Sequence, residues 1–193
     1  MSKDGYAIVS RFIWAHNLSK DDRQAEDYYA TNPTAAEWLD KIENLDKRIW
    51  ECACGQGHLA KVFVNAGHEV LATDLIDRGY GIGGVDFLKC KERFTGDIVT
   101  NPPYKYAEKF IEHALELIPD GNKVCMFLKV QFLEGKNRKE MFKRIPPKTV
   151  WVSSSRIGCY LNGEVKKTNS MLALAWYVWE KGYTGETTLK WFN

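Results

Sequence analysis

The chain has 193 residues and a formal net charge of +2, a size that fits one domain. Hydrophobic residues make up 45% of it, and its 7 Trp, 9 Tyr and 9 Phe exclude an intrinsically disordered chain. No apolar run approaches the ~18 residues of a membrane span, and the first residues lack a secretory signal pattern. The chain has five cysteines, and their spacing is not that of a disulfide framework, which favours a reduced, cytoplasmic location.

Helix and strand patterns alternate along the chain after a lead-in over residues 1–27. Asn32-Pro33 can start the first helix, and a capping box from Thr34 to Glu37 is the alternative start. Further helices are predicted over residues 58–66, 107–118 and 135–144, and strands over 48–53, 69–73, 97–100, 123–130, 149–153 and 171–179. The alternation predicts an α/β fold with a mostly parallel sheet covered on both faces, which binds ligands at the carboxyl ends of its strands.

A glycine turn follows the predicted strand 48–53 and opens a helix. Gly55 and Gly57 allow a tight turn and a close approach of the backbone to a ligand. Asp74 ends the next predicted strand, where its carboxylate can accept hydrogen bonds from both hydroxyls of a ribose. The same pattern fits a nicotinamide-dinucleotide fingerprint or an ordinary strand-to-helix turn. It therefore favours a nucleoside ligand without identifying it.

The segment Asn101-Pro102-Pro103-Tyr104 is more specific. Two prolines after a strand hold the backbone extended and remove two N–H donors, which leaves the Pro102 carbonyl at a set angle. The side-chain oxygen of Asn101 is a second acceptor, so the pair can accept both hydrogens of a planar –NH2 group. Tyr104 supplies an aromatic face on which a flat substrate can stack. The alternative is a proline turn that ends a strand.

Four stretches of the chain carry a family resemblance, and together they cover roughly residues 28–180. They are Tyr28–Pro33, Glu51–Gly57, Gly84–Phe87 and Asn101–Tyr104. In this order they resemble the motifs of class I S-adenosylmethionine-dependent methyltransferases, specifically the gamma arrangement of adenine-specific DNA amino-methyltransferases. The chain is most similar to small phage and prophage members, which suggests restriction-modification or anti-restriction. The resemblance implies a Rossmann-like fold with a mostly parallel seven-stranded sheet.

The resemblance also implies which residues hold the cofactor. Tyr29 and Thr31 would border the methionine part of S-adenosylmethionine, and Glu51 would orient the methionine end, with Gly55 and Gly57 giving room.

The adenosine part would be held by residues further along the chain. Asp74 would hold the ribose, Asp86 the adenine amino group, and Phe87 would flank the adenine ring. Asp77 or Asp97 could take the place of Asp86 in the alignment.

The implied reaction is methyl transfer to the exocyclic amino group of adenine in DNA, leaving S-adenosylhomocysteine and needing no metal. Asn101, Pro102, Pro103 and Tyr104 would be catalytic, and Asn101 would also contact the cofactor. Hydrogen bonds from the –NH2 group to Asn101 and to the Pro102 carbonyl would free the nitrogen lone pair for direct, in-line attack. The target base would be flipped out of the duplex and stacked on Tyr104.

The positive charge is concentrated after the catalytic motif. Residues 132–170 hold nine Lys or Arg and three Glu, a net +6 that leaves −4 for the rest of the chain. Contact with the phosphates of double-stranded DNA is the first interpretation, and a solvated helix face is the alternative. The candidate contacts are Lys136, Arg138, Lys139, Arg156, Lys166 and Lys167.

A single methyltransferase domain is predicted over residues 28–193, and no separate target-recognition domain is expected. The chain is therefore expected to read DNA through residues 132–170, to read it loosely, or to act as a homodimer or with a partner subunit. No membrane partner is expected.

Other functions stay open at this point. The motif suits any planar –NH2 group, so an RNA or a protein glutamine amide is an alternative substrate, and a cofactor-binding or DNA-masking protein is the non-enzymatic alternative. A dehydrogenase would leave Asn101 to Tyr104 unexplained. Cys52, Cys54 and His58 are spaced like metal ligands but are better explained by the glycine turn, because no second ligand pair follows.

Overall fold

The computed structural model describes residues 29–155, 157, 159–161 and 172–193, so the predicted lead-in lies outside the described residues. The helices are α1 (Pro33–Ile42), α2 (His58–Asn65), α3 (Ala107–Leu117) and α4 (Lys136–Arg144). The strands are β1 (Tyr29–Thr31), β2 (Arg48–Glu51), β3 (Glu69–Ala72), β4 (Asp97–Thr100), β5 (Lys123–Lys129), β6 (Thr149–Ser153), β7 (Cys159–Leu161), β8 (Leu174–Glu180) and β9 (Thr188–Phe192). Within these ranges no helix is both long and apolar enough to cross a membrane.

Seven of these strands form one sheet in the order β3-β2-β4-β5-β8-β6-β9. The strands β3, β2, β4 and β5 are parallel, β8 is antiparallel to β5 and β6, and β9 is parallel to β6. The predicted α/β fold with a mostly parallel seven-stranded sheet is therefore confirmed. The sequence patterns missed β9, and they also missed β1 and β7, which form a separate antiparallel pair.

Helices cover both faces of the sheet, and the alternation of side chains along the strands builds two apolar cores. On one face, Met126 of β5 and Tyr177 of β8 pack with α3 and α4. On the other face, Phe127 and Trp176 pack with α1 and α2. Trp176 and Trp179, predicted as core residues, are fully buried, and each indole N–H donates to a backbone carbonyl.

Helix α1 begins at the first of the two predicted starts. Asn32 is the N-cap, its side-chain oxygen accepts a hydrogen bond from the Thr34 N–H at 3.0 Å, and Pro33 occupies the first helical position. This cap places the end of β1 directly against the start of α1.

Asp97 fixes the opposite end of the sheet, where β4 begins. Its carboxylate accepts the backbone N–H groups of Asp46 and Lys123, both at 2.7 Å, and the side-chain N–H of Asn122 at 3.0 Å. Because Asp97 lies at the amino end of β4, it is a structural residue and does not replace Asp86 at the ligand-binding end. Asp77, the other alternative, is exposed and accepts the N–H of Gly79 within its own loop.

Candidate active site

The parallel strands bring their carboxyl ends to one edge of the sheet, as the fold requires. Glu51 ends β2, Asp74 follows β3, Asn101 follows β4, and Lys129 ends β5. Residues that are far apart in sequence therefore meet along this edge in the order of the strands. We call this group the carboxyl-end site.

The glycine turn is tied to the exit of the neighbouring strand. Gly55 and Gly57 have φ values of 54° and 77°, in the left-handed region that glycine tolerates. The backbone N–H of Gly55 donates to Asp74 Oδ2 at 2.7 Å. The other oxygen of Asp74 accepts the N–H of Ile76 at 2.8 Å. Asp74 therefore holds the turn against β3, and each of its oxygens keeps a further lone pair for a ligand.

Glu51 is a buried carboxyl group beside this turn. It is 2% exposed, and the backbone N–H of Ala60, in the first turn of α2, hydrogen-bonds to it. Its Oε2 atom has no hydrogen-bond partner among the described residues. Burial is the main cause that raises the pKa of Glu51 well above its usual value, and the nearby Asp74 raises it further.

Tyr80 covers the glycine turn, and sequence reasoning missed it. Its ring lies directly on the Cα of Gly57, so that a Cβ at position 57 would overlap the ring. Lys61 Nζ lies 4.9 Å from the ring centroid, and the thiol of Cys54 donates to the Tyr80 carbonyl at 3.5 Å. The only sequence signal was the glycine-rich loop around Tyr80, which predicted a turn but not its return to Gly57.

Asn101 and Thr31 meet across a long stretch of sequence. Asn101 Nδ2 donates to Thr31 Oγ1 at 2.8 Å, and Thr31 is 4% exposed. The carbonyl of Pro102 directly follows Asn101 in the chain, and that of Pro103 accepts the Tyr106 N–H at 2.9 Å. The arrangement therefore presents a fixed amide beside a carbonyl acceptor.

Tyr104 is half-buried and begins a short 3-10 helix over Tyr104–Tyr106. Lys129 Nζ lies over its ring, 4.9 Å from the centroid. A flat group that stacks on the face of Tyr104 covered by Lys129 must displace that lysine. A group that stacks on the opposite face would leave Lys129 in place on the other side of the ring.

The segment predicted to hold the adenine ring differs from expectation. Phe87 is 2% exposed and packs on Trp50, Phe110 and His113, so its ring belongs to the core and has no open face for a ligand. Asp86 caps the 3-10 helix over Phe87–Lys89, because its Oδ1 accepts the Leu88 N–H at 3.2 Å. Asp86 is held by a local cap and Phe87 by distant core residues, and the sequence pattern revealed neither contact.

Helix α4 lies beside the start of α3 and carries part of the basic segment. Arg138 is committed to structure, because its Nε donates to the Phe132 carbonyl at 2.8 Å and its Nη1 lies 3.5 Å from Glu108 Oε1. Lys136 and Lys139 are exposed. Of the predicted phosphate contacts on α4, these two lysines have the side chains that are open to a partner.

Several predicted site residues lie outside the described structure. Arg156, Lys166 and Lys167 are outside the described residues, and Tyr29 is described only as a backbone position in β1. In the part of the chain that the structure covers, no group of three or more His, Cys, Asp or Glu side chains could hold a metal ion.

The contact between Gly57 and Tyr80 yields a stability prediction. Gly57→Ala should lower the free energy of unfolding by about 2–4 kcal/mol, because the new methyl group overlaps the ring and the left-handed φ disfavours alanine. Chemical denaturation measures the difference.

Gly121→Ala is the matched control. Gly121 has a similar φ of 86° and open space around a Cβ, so its substitution isolates the backbone cost of about 1 kcal/mol. In the Gly57→Ala background, Tyr80→Ala removes the ring that overlaps the new methyl group. It should therefore restore the part of the unfolding free energy that was lost beyond the backbone cost. An equal loss in the two glycine variants would contradict the close contact with Tyr80.

Burial of Glu51 yields a pH prediction. Its folded pKa lies above the ~4.3 of an unfolded glutamate, so the folded chain retains a proton that the unfolded chain releases. The free energy of unfolding should therefore fall as pH rises from about 4.3 through the folded pKa. In Glu51→Gln this contribution is absent, so the variant should gain stability relative to the native chain between pH 5 and pH 8. A stability difference that does not change with pH would contradict the account.

Comparison with known proteins identifies the fold. No protein-family model matches the chain, and no curated protein sequence matches it significantly. The structure is similar to that of a protein assigned as a class I S-adenosylmethionine-dependent methyltransferase from Listeria monocytogenes, with a TM-score of 0.60, 12% identity, and coverage of 98% of this chain and 72% of that one. It is also similar to a protein from Pyrococcus horikoshii assigned as an RNA methyltransferase, with a TM-score of 0.53, 14% identity, and coverage of 77% and 79%.

A third similar structure is the type IIG restriction endonuclease BpuSI, with a TM-score of 0.60 and 16% identity. The match covers 89% of this chain but only 27% of the endonuclease. At such low sequence identities, the structural similarity establishes the fold of the chain and not its substrate. The strand order, the helices on both faces and these similarities show that the chain has the Rossmann-like fold of class I S-adenosylmethionine-dependent methyltransferases.

Proposed function

We propose that this chain is an S-adenosylmethionine-dependent methyltransferase that methylates the exocyclic amino group of adenine in DNA. The observation that carries the proposal is the position of Asn101 and Pro102. They lie at the carboxyl end of β4, in the same site as Glu51 and Asp74, and the Asn101 amide is held through its nitrogen. An acceptor pair for an amino group thus stands beside groups suited to a nucleoside cofactor.

Glu51, Asp74 and the glycine turn form the cofactor half of the carboxyl-end site. This half suits a ligand with ribose hydroxyls and a cationic end. Glu51 offers a buried oxygen without a hydrogen-bond partner among the described residues, next to a glycine turn. Asp74 keeps acceptor capacity beyond its two backbone hydrogen bonds. S-adenosylmethionine, when bound, supplies a methyl group on a sulfonium centre. Tyr80 borders this half of the site and excludes water from the face of Gly57 that it covers.

Asn101, Pro102 and Tyr104 form the substrate half, which has to orient an amino nitrogen for attack on the methyl group; the methylated nitrogen would then release one proton to water, so no general base is required before attack. The Asn101 oxygen and the Pro102 carbonyl would accept the two amino hydrogens, which directs the nitrogen lone pair away from both acceptors. Tyr104 would hold the ring of the substrate by stacking, with Lys129 at 4.9 Å from the Tyr104 ring. Positioning of this kind is the main requirement, because the methyl group is already activated.

DNA is favoured over other carriers of an amino group by three observations. The motif order resembles that of DNA adenine methyltransferases, exposed lysines lie on α4 beside the start of α3, and the fold is similar to part of a type IIG restriction endonuclease. RNA is the second candidate, because the Pyrococcus horikoshii protein with a similar fold is assigned as an RNA methyltransferase.

Loss of the Asn101 amide should abolish methyl transfer. With tritiated S-adenosylmethionine and duplex DNA, Asn101→Ala should reduce incorporation by about a hundredfold or more, because one of the two acceptors for the amino group is gone. Binding of S-adenosylhomocysteine should change little. Asn65→Ala makes the same change at an exposed position at the far end of α2 and should keep native activity.

The same assay with RNA and with protein as acceptors separates the alternatives. Label in RNA or in protein alone would reassign the substrate, and no label in any of the three would overturn the enzymatic proposal. Loss of folding in Asn101→Ala would instead indicate a structural role for the motif.

Exposed lysines on α4 should contribute to DNA affinity. Replacing Lys136 and Lys139 together by Glu should weaken binding and lower the salt dependence of the binding constant by about two counterions. Lys91→Glu, at an exposed position before β4, is the control for a change of net charge. Binding that is unaffected by the double substitution, or by salt, would assign these lysines to a solvated helix face.

A further inference from the structure

Thr31 is joined to the site by one specific contact. Its Oγ1 accepts a hydrogen bond from Asn101 Nδ2 at 2.8 Å, across 70 positions of sequence. Thr31 is 4% exposed, so water does not compete freely for this hydrogen bond. The family resemblance suggested a cofactor contact for Thr31, and the structure adds a contact to the amide of the substrate half.

The backbone on both sides of Thr31 is fixed by hydrogen-bonded structure. Strand β1 pairs with β7 in antiparallel register, with Thr31 opposite Cys159. The next residue, Asn32, is the N-cap of α1 and accepts the Thr34 N–H at 3.0 Å. The hydroxyl of Thr31 is therefore carried by a short segment that is anchored at both ends.

The orientation of the Asn101 amide decides whether it can serve its proposed role. A primary amide has two orientations of nearly the same shape, one with the oxygen and one with the –NH2 group toward a substrate. Only the oxygen accepts a hydrogen from an amino group. Because Asn101 Nδ2 is the atom that donates to Thr31 Oγ1, this contact fixes which end of the amide faces Thr31 and turns the oxygen away from it.

We propose that Thr31 is a positioning residue, whose hydroxyl holds the Asn101 amide with its oxygen toward the amino group of the substrate. This inference rests on the proposed function for its consequence in catalysis, but the orientation of the amide can be measured without any substrate. Because β1 pairs with β7, the register of these two strands also sets where the hydroxyl lies.

The test compares Thr31→Val, which keeps the branched shape and removes the hydroxyl, with Thr31→Ser, which keeps the hydroxyl. Nuclear magnetic resonance of the full chain labelled with nitrogen-15 follows the side-chain NH2 group of Asn101, identified by its disappearance in Asn101→Ala. Thr31→Val should shift this signal and speed its exchange with water, whereas Thr31→Ser should leave it near its native position.

Kinetics on the accepted substrate tests the consequence. Thr31→Val should lower kcat about tenfold, the effect expected from one lost orienting hydrogen bond, with little change in the dissociation constant of S-adenosylhomocysteine. Thr31→Ser should restore most of kcat. A weaker cofactor affinity with native kcat would overturn the inference in favour of a cofactor contact.

The two proposals fail in different ways. An Asn101 signal that is the same in the native chain and in Thr31→Val overturns the positioning role, whatever the activity. A native chain that transfers no methyl group to DNA, RNA or protein overturns the proposed function, even if the signal of Asn101 responds as expected. Thermal unfolding of both Thr31 variants verifies that each one is folded.

Discussion

The hydrogen bond from the Gly55 N–H to Asp74, 2.7 Å long, joins the exits of two neighbouring parallel strands. It fixes the glycine turn relative to β3. The glycine turn leads directly into α2, and the Ala60 N–H near the start of that helix hydrogen-bonds to the buried Glu51. Tyr80 then closes over the turn. The Cys54 N–H, which donates to the Thr73 carbonyl at 2.9 Å, ties the same two segments together, and the geometry of the cofactor half depends on this pair of hydrogen bonds.

The substrate half is built from a second link of the same kind, between Thr31 and Asn101. The two halves share the carboxyl edge of one sheet, so they need no movement of domains to meet. Both halves contain a buried polar side chain with a specific contact: the Thr31 hydroxyl accepts from the Asn101 amide, and the Ala60 N–H hydrogen-bonds to Glu51. A rigid arrangement is what direct transfer between two bound molecules requires, since most of the barrier is lowered by orientation.

Local patterns predicted the features that depend on neighbours in sequence. Strand β4 was predicted with its observed bounds, the cap of α1 followed from Asn32-Pro33, and the ends of the strands placed the glycine turn, Asp74 and Asn101 at one edge. Features that depend on contacts far along the chain were not predictable. The core position of Phe87 requires α3, and the return of Tyr80 to Gly57 requires a loop path that glycines permit but do not specify.

The identity of the atom that receives the methyl group tests the central claim most directly. DNA incubated with the chain and labelled S-adenosylmethionine can be digested to nucleosides and resolved by mass spectrometry. The account predicts that the label is on N6-methyladenine, because two oxygen acceptors and a stacking ring suit a planar amino group and the order of the motifs resembles that of adenine-specific enzymes. Label on a ring carbon of a base, or DNA that carries no label, would contradict it.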